Sequence, residues 1–439
     1  MVKDKTVTQL FFNPQPSTIM HLDLNSCFAS IEQQANPCLR GKPVAVAAYT
    51  TFNGCIIAPS IEAKVLGIKV GMRVRDAKAI CPSLIVLSPD PWKYRNVHLA
   101  LRKIIANFTP VFSPKSIDEF VLDFKDYLSL AARDSSCKTF AQSGQDCFLS
   151  PFHKVALKIK ERIKKEIGEW LRVSIGLAPN RYLAKVAAGL HKPDGLDEIN
   201  KDNFLDCYRK LRLVDFPYIK ERNAFRLNKM GIYSPIDFYR APLWKLKAAF
   251  KSINGYYWYL RLHGYEIDDF ESKRRSYGNS YALPKPFSHP RDLAPLLTKL
   301  VEKMAFRLRQ AGYKAKGIHL SIVYRDWCLW HKGVSFSKNL FASRDIYQKA
   351  YQIMLLSPRK PVRELAVSCF NLTKRDSAQL ELFDDVVKKE RLVNSIDKIN
   401  QRWGDFVIAP ARMLKAKDAV PDRIAFGGVK ELEEMIINN

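Results

Sequence analysis

The chain has 439 residues, enough for about three domains at ~150 residues each, and 47% apolar with 26% charged residues excludes wholesale disorder. No apolar run approaches the ~18 residues of a membrane span, Met1 to Met20 lacks a signal-peptide core, and nine scattered Cys without metal or redox spacing predict reduced thiols. Lys and Arg number 71 against 44 Asp and Glu, and the net charge of +27 exceeds what solubility asks for and predicts a polyanionic partner.

In chain order, Thr18 to Leu24 (T-I-M-H-L-D-L) reads as a strand. Leu39 to Ser88 is a compact mixed segment with two short apolar runs, Val44 to Ala48 and Cys55 to Ala58. Trp92 to Phe108 reads as a helix, with Tyr94, Val97, Leu101, Ile104, Ile105 and Phe108 on one stripe. Thr109 to Phe112 and Asp118 to Phe124 read as strands around a turn at Ser113-Pro114-Lys115, and polar Leu130 to Leu149 as an inserted loop. Ser150-Pro151 supplies a cap and first-turn proline, and Phe152, Val155, Ile159, Ile163 and Ile167 mark the buried stripe of the helix that follows. Val173 to Ala178 is a strand, and Pro179-Asn180 opens another helix. With Leu39–Ser88 set aside, the order is β-α-β-β-α-β, that of a ferredoxin-like sheet. Lys192 to Phe270 reads as helical and ends in a sharp charge switch, Asp268, Asp269 and Glu271 against Lys273-Arg274-Arg275. Arg291 to Ala311 and Arg344 to Leu355 read as helices, and the chain after Arg375 as a tail.

The strand order brings acids together. Asp23 ends the first strand, and Asp118 and Glu119 follow the hairpin turn on its neighbour. Three carboxylates on one rigid sheet repel one another unless cations neutralise them, and oxygen-only ligands suit Mg²⁺. Consecutive residues of a regular strand point to opposite faces, so Asp118 and Glu119 can act together only where the strand begins or bends. Taken singly, each acid is more often a surface residue or an ion-pair partner.

The positive charge is concentrated. Ser272 to Arg375 holds 21 Lys and Arg against 5 Asp and Glu, interleaved with Tyr277, Tyr281, Phe287, Tyr313, Tyr324, Trp327 and Trp330. Lys316 to Trp327 alternates as a strand, with Ile318, Leu320, Ile322 and Tyr324 on one face. A sheet with a basic outer face would follow a nucleic-acid backbone through phosphate contacts; an anionic membrane surface is the rival reading.

Four ordered blocks resemble the Y-family translesion DNA polymerases of the DinB/UmuC group: H-L-D-L-N-S-C-F-A-S-I-E from His21, G-K-P-V-A-V from Gly41, S-I-D-E-F-V-L-D-F from Ser116, and S-I-G-L-A-P-N-R-Y-L-A-K from Ser174 followed by H-K-P-D-G-L. The resemblance implies an α+β multidomain right-hand polymerase. Its ferredoxin-like palm would take 1–26 and 89–192, small fingers 27–88, a helical thumb 193–268, a linker 269–277, a basic α/β little finger 278–375 and a tail 376–439. The implied activity is template-directed addition of dNTPs to a primer 3′ end by two-metal-ion phosphoryl transfer, with low fidelity and lesion bypass. Asp23, Asp118 and Glu119 match the metal-binding carboxylates, with the backbone carbonyl of Leu24 as an added ligand for two Mg²⁺, which Mn²⁺ could replace. Phe28 matches the aromatic steric gate against a ribose 2′-OH, and Lys185 the lysine that reaches the triphosphate.

There are departures. Asn25 stands where many members carry a second aspartate, and Ile61 and Lys64 where DinB-type members show Tyr and Arg at the triphosphate; Lys64 keeps charge but not a planar fork. F-P-Y-I-K from Phe216 replaces a glycine-bearing thumb hairpin that offers backbone N–H groups to a phosphate. In the tail, Gln379-Leu380-Glu381-Leu382-Phe383 resembles the bacterial sliding-clamp pentapeptide, with Leu382 and Phe383 for an apolar pocket and Gln379 at its edge. The implied partners are primer–template DNA, dNTP and the clamp, for a monomer in the cytoplasm at the nucleoid. The alternative is a catalytically weak or inactive accessory protein that binds DNA and clamp as a scaffold. A two-metal nuclease or nucleotide cyclase fits less well, since neither needs Phe28 and the basic domain together.

Overall fold

The computed structural model describes residues 10–126, 151–270, 274–374 and 386–421. These form two compact units, divided between Glu271 and Ser272.

In the first unit, β1 (Ile19–Leu24) passes through left-handed Ser26 into α1 (Cys27–Ala35). There follow β2 (Val44–Ala47), β3 (Ile56–Pro59), α2 (Ile61–Val65), α3 (Val74–Ile80) and β4 (Ile85–Leu87), a three-stranded sheet with two short helices and a core of its own around Ala45, Ile56, Ile68 and Val74. The chain returns through α4 (Pro91–Ala106), capped by Asp90 with proline at its first position, to β5 (Phe112–Pro114) and β6 (Glu119–Asp123). Then come α5 (Pro151–Glu166), β7 (Val173–Ala178), α6 (Arg181–Ala187) and β8 (Leu196–Glu198).

The strands assemble as β5-β6-β1-β7-β8, so the first and third strands of the expected ferredoxin-like pattern are neighbours and β8 is an addition at one edge. Even-numbered residues of β1 (Met20, Leu22, Leu24) meet α4 and α5 in one core, while Ile19, with Val121 of β6, belongs to a second core beneath α6. The expected turn at Ser113-Pro114-Lys115 is displaced. Ser113 and Pro114 pair with Val121 and Phe120, and the bend falls at Lys115–Asp118. β5 lies at the sheet edge, where a proline's missing N–H costs no ladder bond. On α5, Phe152, Ile159 and Ile163 are buried as expected. The inserted loop Leu130–Leu149 lies outside the described residues.

The rest of the first unit is helical: α7 (Phe204–Lys210), α8 (Glu221–Asn228), α9 (Pro235–Arg240), α10 (Leu243–Phe250) and α11 (Asn254–Leu262). Phe204, Tyr208, Phe216, Phe238 and Trp258 form their aromatic core, continuous with that under α6.

The second unit contains β9 (Ser276–Phe287), α12 (Pro290–Gln310), β10 (Tyr313–Tyr324), β11 (Leu329–Leu340), α13 (Ser343–Met354) and β12 (Val362–Lys374), with antiparallel sheet order β11-β10-β12-β9. Ile318, Leu320, Ile322 and Tyr324 face the helices as the alternation predicts. The opposite row of β10 is Gly317, His319, Ser321 and Val323, and a shallow groove there is lined by Gly278, Ser280, His319, Ala366 and Ser368. The centre of this outer face is therefore small and neutral rather than basic, because the strand's lysines Lys314 and Lys316 lie at its start.

Beyond residue 385 the expected tail is a further helix, α14 (Val386–Trp403), followed by a 3₁₀ turn at Ala411–Ala416. Arg309 makes two 2.7 Å bonds to Asp397, Lys314 meets Glu390 at 2.6 Å and Lys389 meets Asp345 at 2.6 Å. The clamp-like residues Gln379, Leu380, Leu382 and Phe383 lie outside the described residues.

Candidate active site

The site is built on the face of the first sheet opposite α4 and α5. β1 and β6 run antiparallel with Asp23 opposite Glu119, so their side chains share that face with His21 and Val121. β6 begins at Glu119, and Asp118 lies in the bend before it rather than on the strand. Its backbone carbonyl accepts from the Leu24 N–H at 2.9 Å, tying the bend to the end of β1. The Ser116 hydroxyl donates to its carboxylate.

Donor atoms of His21, Asp23 and Glu119 lie within 4.8 Å of one another. Burial, and secondarily the charges of Asp23 and Glu119, push the Asp118 carboxyl up to about 6 against the opposing Ser116 hydrogen bond. Two lysines answer this crowding. Lys185 Nζ donates to both Glu119 oxygens at 2.7 and 2.6 Å, and Lys192 Nζ to Asp23 Oδ2 at 2.6 Å. Lys185 reaches the sheet because α6 packs closely on β7: a Cβ on Gly176 would come within 2.1 Å of the Ala184 carbonyl oxygen. Asn180 caps α6 through Leu183 N–H and donates to the Arg261 and Tyr265 carbonyls, while Arg181 pairs with Asp123, Glu266 and Asp269. The P-N-R sequence thus joins the sheet to the helical segment.

Lys64, on α2, feels the same acids from the other subdomain. Desolvation, then Lys192, lowers its pKa, and Asp23 and Asp118 act in the opposite sense. Asn25 is buried: its Nδ2 donates to the Asp23 carbonyl at 3.5 Å, and its Oδ1 accepts from Ser174 Oγ and Asp194 N–H at 3.1 and 2.8 Å. Its amide is a structural tie between β1, β7 and the K-P-D-G loop. Phe28 has no exposed surface and stacks on Tyr94 with ring centroids 4.2 Å apart.

Sequence reasoning passed over three residues that the structure places here. His21 is buried beside Glu119, its Nε2 3.9 Å from Oε2, and burial, then Lys185 and Lys192, holds it well below the usual imidazole range. Its place two residues before Asp23 on one strand was the available signal. Lys192 lay in a quoted block without an assigned role. Tyr218 joins His21, Lys115, Glu119, Lys185 and Arg261 around a cleft between sheet and helices.

A ferredoxin-like sheet carrying clustered acids, a small α/β subdomain, a helical subdomain and a separate basic α/β unit define a right-hand polymerase. Residues 22–189 match the impB/mucB/samB family and residues 274–382 its C-terminal domain. DNA polymerase IV of Pelotomaculum thermopropionicum is 30% identical over 412 residues, 92% of this chain and 97% of that protein. DNA polymerase IV 1 of Bacillus subtilis is 30% identical over 413 residues, 91% and 94% of the two chains. Among solved structures, a chimeric Y-family DNA polymerase matches with a TM-score of 0.69 and 24% identity over 81% of this chain and 99% of that one. The insertion ternary complex of Dbh DNA polymerase matches with a TM-score of 0.56, also at 24% identity and over 81% and 99% of the two chains. The chain belongs to the impB/mucB/samB family of Y-family, DinB-like DNA polymerases. It is a DNA-directed DNA polymerase of the translesion type, and the family is metal-dependent. The scaffold alternative gains no support.

Proposed function

We propose that Asp23, Asp118 and Glu119, with the backbone carbonyl of Leu24, hold two Mg²⁺ ions where a primer 3′ end on its template meets an incoming dNTP. The meeting of Asp23 and Glu119 on paired strands, with Asp118 in the adjoining bend feeling both charges, carries this reading. Their oxygen donors, whose negative charge the structure balances with Lys185 and Lys192, fit hard divalent cations. Bound there, the ions would lower the barrier to attack of the 3′-oxygen on the α-phosphorus by neutralising charge on the entering and leaving oxygens.

The chain's own groups do the rest. Asp23 and Glu119 would hold the cations from rigid strands rather than loops. Lys185 and Lys192, now on the carboxylates, are placed to turn to triphosphate oxygens once cations replace them, and Lys64 adds charge from the fingers. Phe28, stacked on Tyr94, would be the residue that rejects a ribose 2′-OH. The division into palm, fingers, thumb, linker and little finger follows the family plan, with the clamp engaged through Gln379–Phe383. A monomer acting at the nucleoid completes the reading.

Primer extension tests it. Glu119→Ala and Asp118→Ala should abolish Mg²⁺-dependent dNTP addition and leave primer–template binding within about twofold; extension by either variant would remove the acids from this role. Phe28→Ala should admit ribonucleotides. Leu382→Ala with Phe383→Ala should lose stimulation by a bacterial clamp and keep distributive synthesis.

A further inference from the structure

The bend Lys115–Asp118 carries one of the three acids outside any strand, so a sheet ladder does not hold it. Its own turn bonds run from the Lys115 and Ser116 N–H groups to the Glu119 carbonyl, at 2.9 and 3.3 Å. These shape the bend without tying it to other elements. Ties to other elements include the Leu24 N–H on the Asp118 carbonyl, the buried Ile117 side chain and a contact from α4. That contact is His98, whose Nδ1 lies 2.9 Å from the Ile117 carbonyl oxygen. A carbonyl only accepts, so Nδ1 carries the proton and donates it.

His98 is 1% exposed and stacks on Phe120 of β6, with ring centroids 4.9 Å apart. It stands one turn beyond Tyr94 on the buried face of α4, so packing sets both the plane of the ring and its place. Burial lowers its pKa against the Ile117 hydrogen bond, Arg102 adds to the lowering, and the ring is neutral at pH 7. Nε2 is buried with no hydrogen-bond partner among the described residues. The histidine therefore satisfies one buried carbonyl and leaves one of its own nitrogens unsatisfied, and as contributions to stability the two nearly cancel. What does not cancel is a fixed place for the peptide that precedes Asp118. That peptide is under load, because the Asp118 carboxyl feels the charges of Asp23 and Glu119, and a turn of the bend would carry it away from them. We propose that His98 is a positioning residue for the cation site: its Nδ1–H pins the Ile117 carbonyl and keeps the Asp118 carboxylate beside the other two acids before any cation arrives. This rests on the reading of those acids as the cation ligands.

The test compares wild type, H98L, H98N and D118A as full chains. Leucine removes the donor and the unsatisfied nitrogen together, whereas asparagine keeps an amide N–H near the place of Nδ1. One readout is deuterium exchange at the Leu24 amide, whose bond to the Asp118 carbonyl opens when the bend moves. The other is Mn²⁺ affinity, from the free-ion paramagnetic resonance signal, on a dideoxy-terminated primer–template with the matching dNTP. In H98L, Leu24 is expected to exchange about tenfold faster, the worth of one lost hydrogen bond. Mn²⁺ should bind about tenfold more weakly, the low end of the ~10–100-fold that groups behind a metal ligand contribute. The melting temperature stays close to that of wild type, and H98N recovers most of both losses. With Mn²⁺ affinity lost in D118A, wild-type behaviour of H98L in either readout overturns the proposal, as does a loss that H98N fails to restore. If D118A binds Mn²⁺ as tightly as wild type, the reading of the acids as ligands falls, and exchange at Leu24 alone decides whether His98 holds the bend.

Discussion

Asp118 sits in the bend before β6 with its carboxyl raised to about 6, chiefly by burial and then by Asp23 and Glu119. For an acid whose folded pKa lies above its unfolded one, the ionised form is the penalised one. The cost is absent below about pH 4 and complete above about pH 6, where it reaches ~3 kcal/mol relative to the ordinary 3.8. Asp118→Asn is expected to stabilise the cation-free first unit by up to that amount at pH 7.5 and by little at pH 4, and in the presence of Mg²⁺ to remove primer extension. Urea melts at the two pH values check it, and equal effects at both would contradict the electrostatic account. Lys185 and Lys192 offset part of the same repulsion. Lys185→Met should therefore lower stability by about 1 kcal/mol and also raise KM for dNTP, whereas a merely structural lysine would move only the first.

Among the elements, α14 is attached in an unusual way. None of its residues is buried, and it is tied to the second unit by charge: Arg309, whose side chain is 5% exposed, holds Asp397, and Lys314 holds Glu390. Removing one partner of such a pair leaves a buried charge unmatched, which costs about 3–5 kcal/mol. Asp397→Ala is thus expected to lower the second unit's unfolding midpoint in guanidinium, and D397E to restore much of it. If the alanine variant melts with wild type, the helix is a passive appendage. The 3₁₀ turn beyond it is fixed differently, by buried Met413 and Ala416 and by Lys299 on the Ala416 carbonyl.

For the whole molecule, the charge of +27 makes nucleic-acid affinity a matter of counterion release. If about six phosphates are neutralised, affinity for primer–template should fall about a thousandfold between 50 and 200 mM salt. A flat dependence would locate binding in neutral surfaces such as the groove around His319. The charge is also partly spent inside the fold, since Arg309 and Lys314 serve α14. Net charge therefore overstates the number of cations available to DNA.

Periodicity and punctuation determined much of the architecture. The β7 strand and the Asn180 cap stand where the pattern puts them, because a strand buried on both faces and an Asx cap act through near neighbours in the chain. Adjacency of the first and third strands follows from topology, and with it the meeting of Asp23 and Glu119. Other features depended on residues far apart. The displaced hairpin turn reflects Pro114 finding an edge, and the neutral outer face reflects which row of β10 turned outward; α14, by contrast, was legible, since Leu392, Ile396, Ile399 and Trp403 recur at helical spacing in the segment read as a tail. Lys192 on Asp23 and Tyr218 beside Lys185 were decided only by the tertiary structure. Local pattern sets which element forms; which charge meets which is settled by long-range closure, where sequence separation carries no signal.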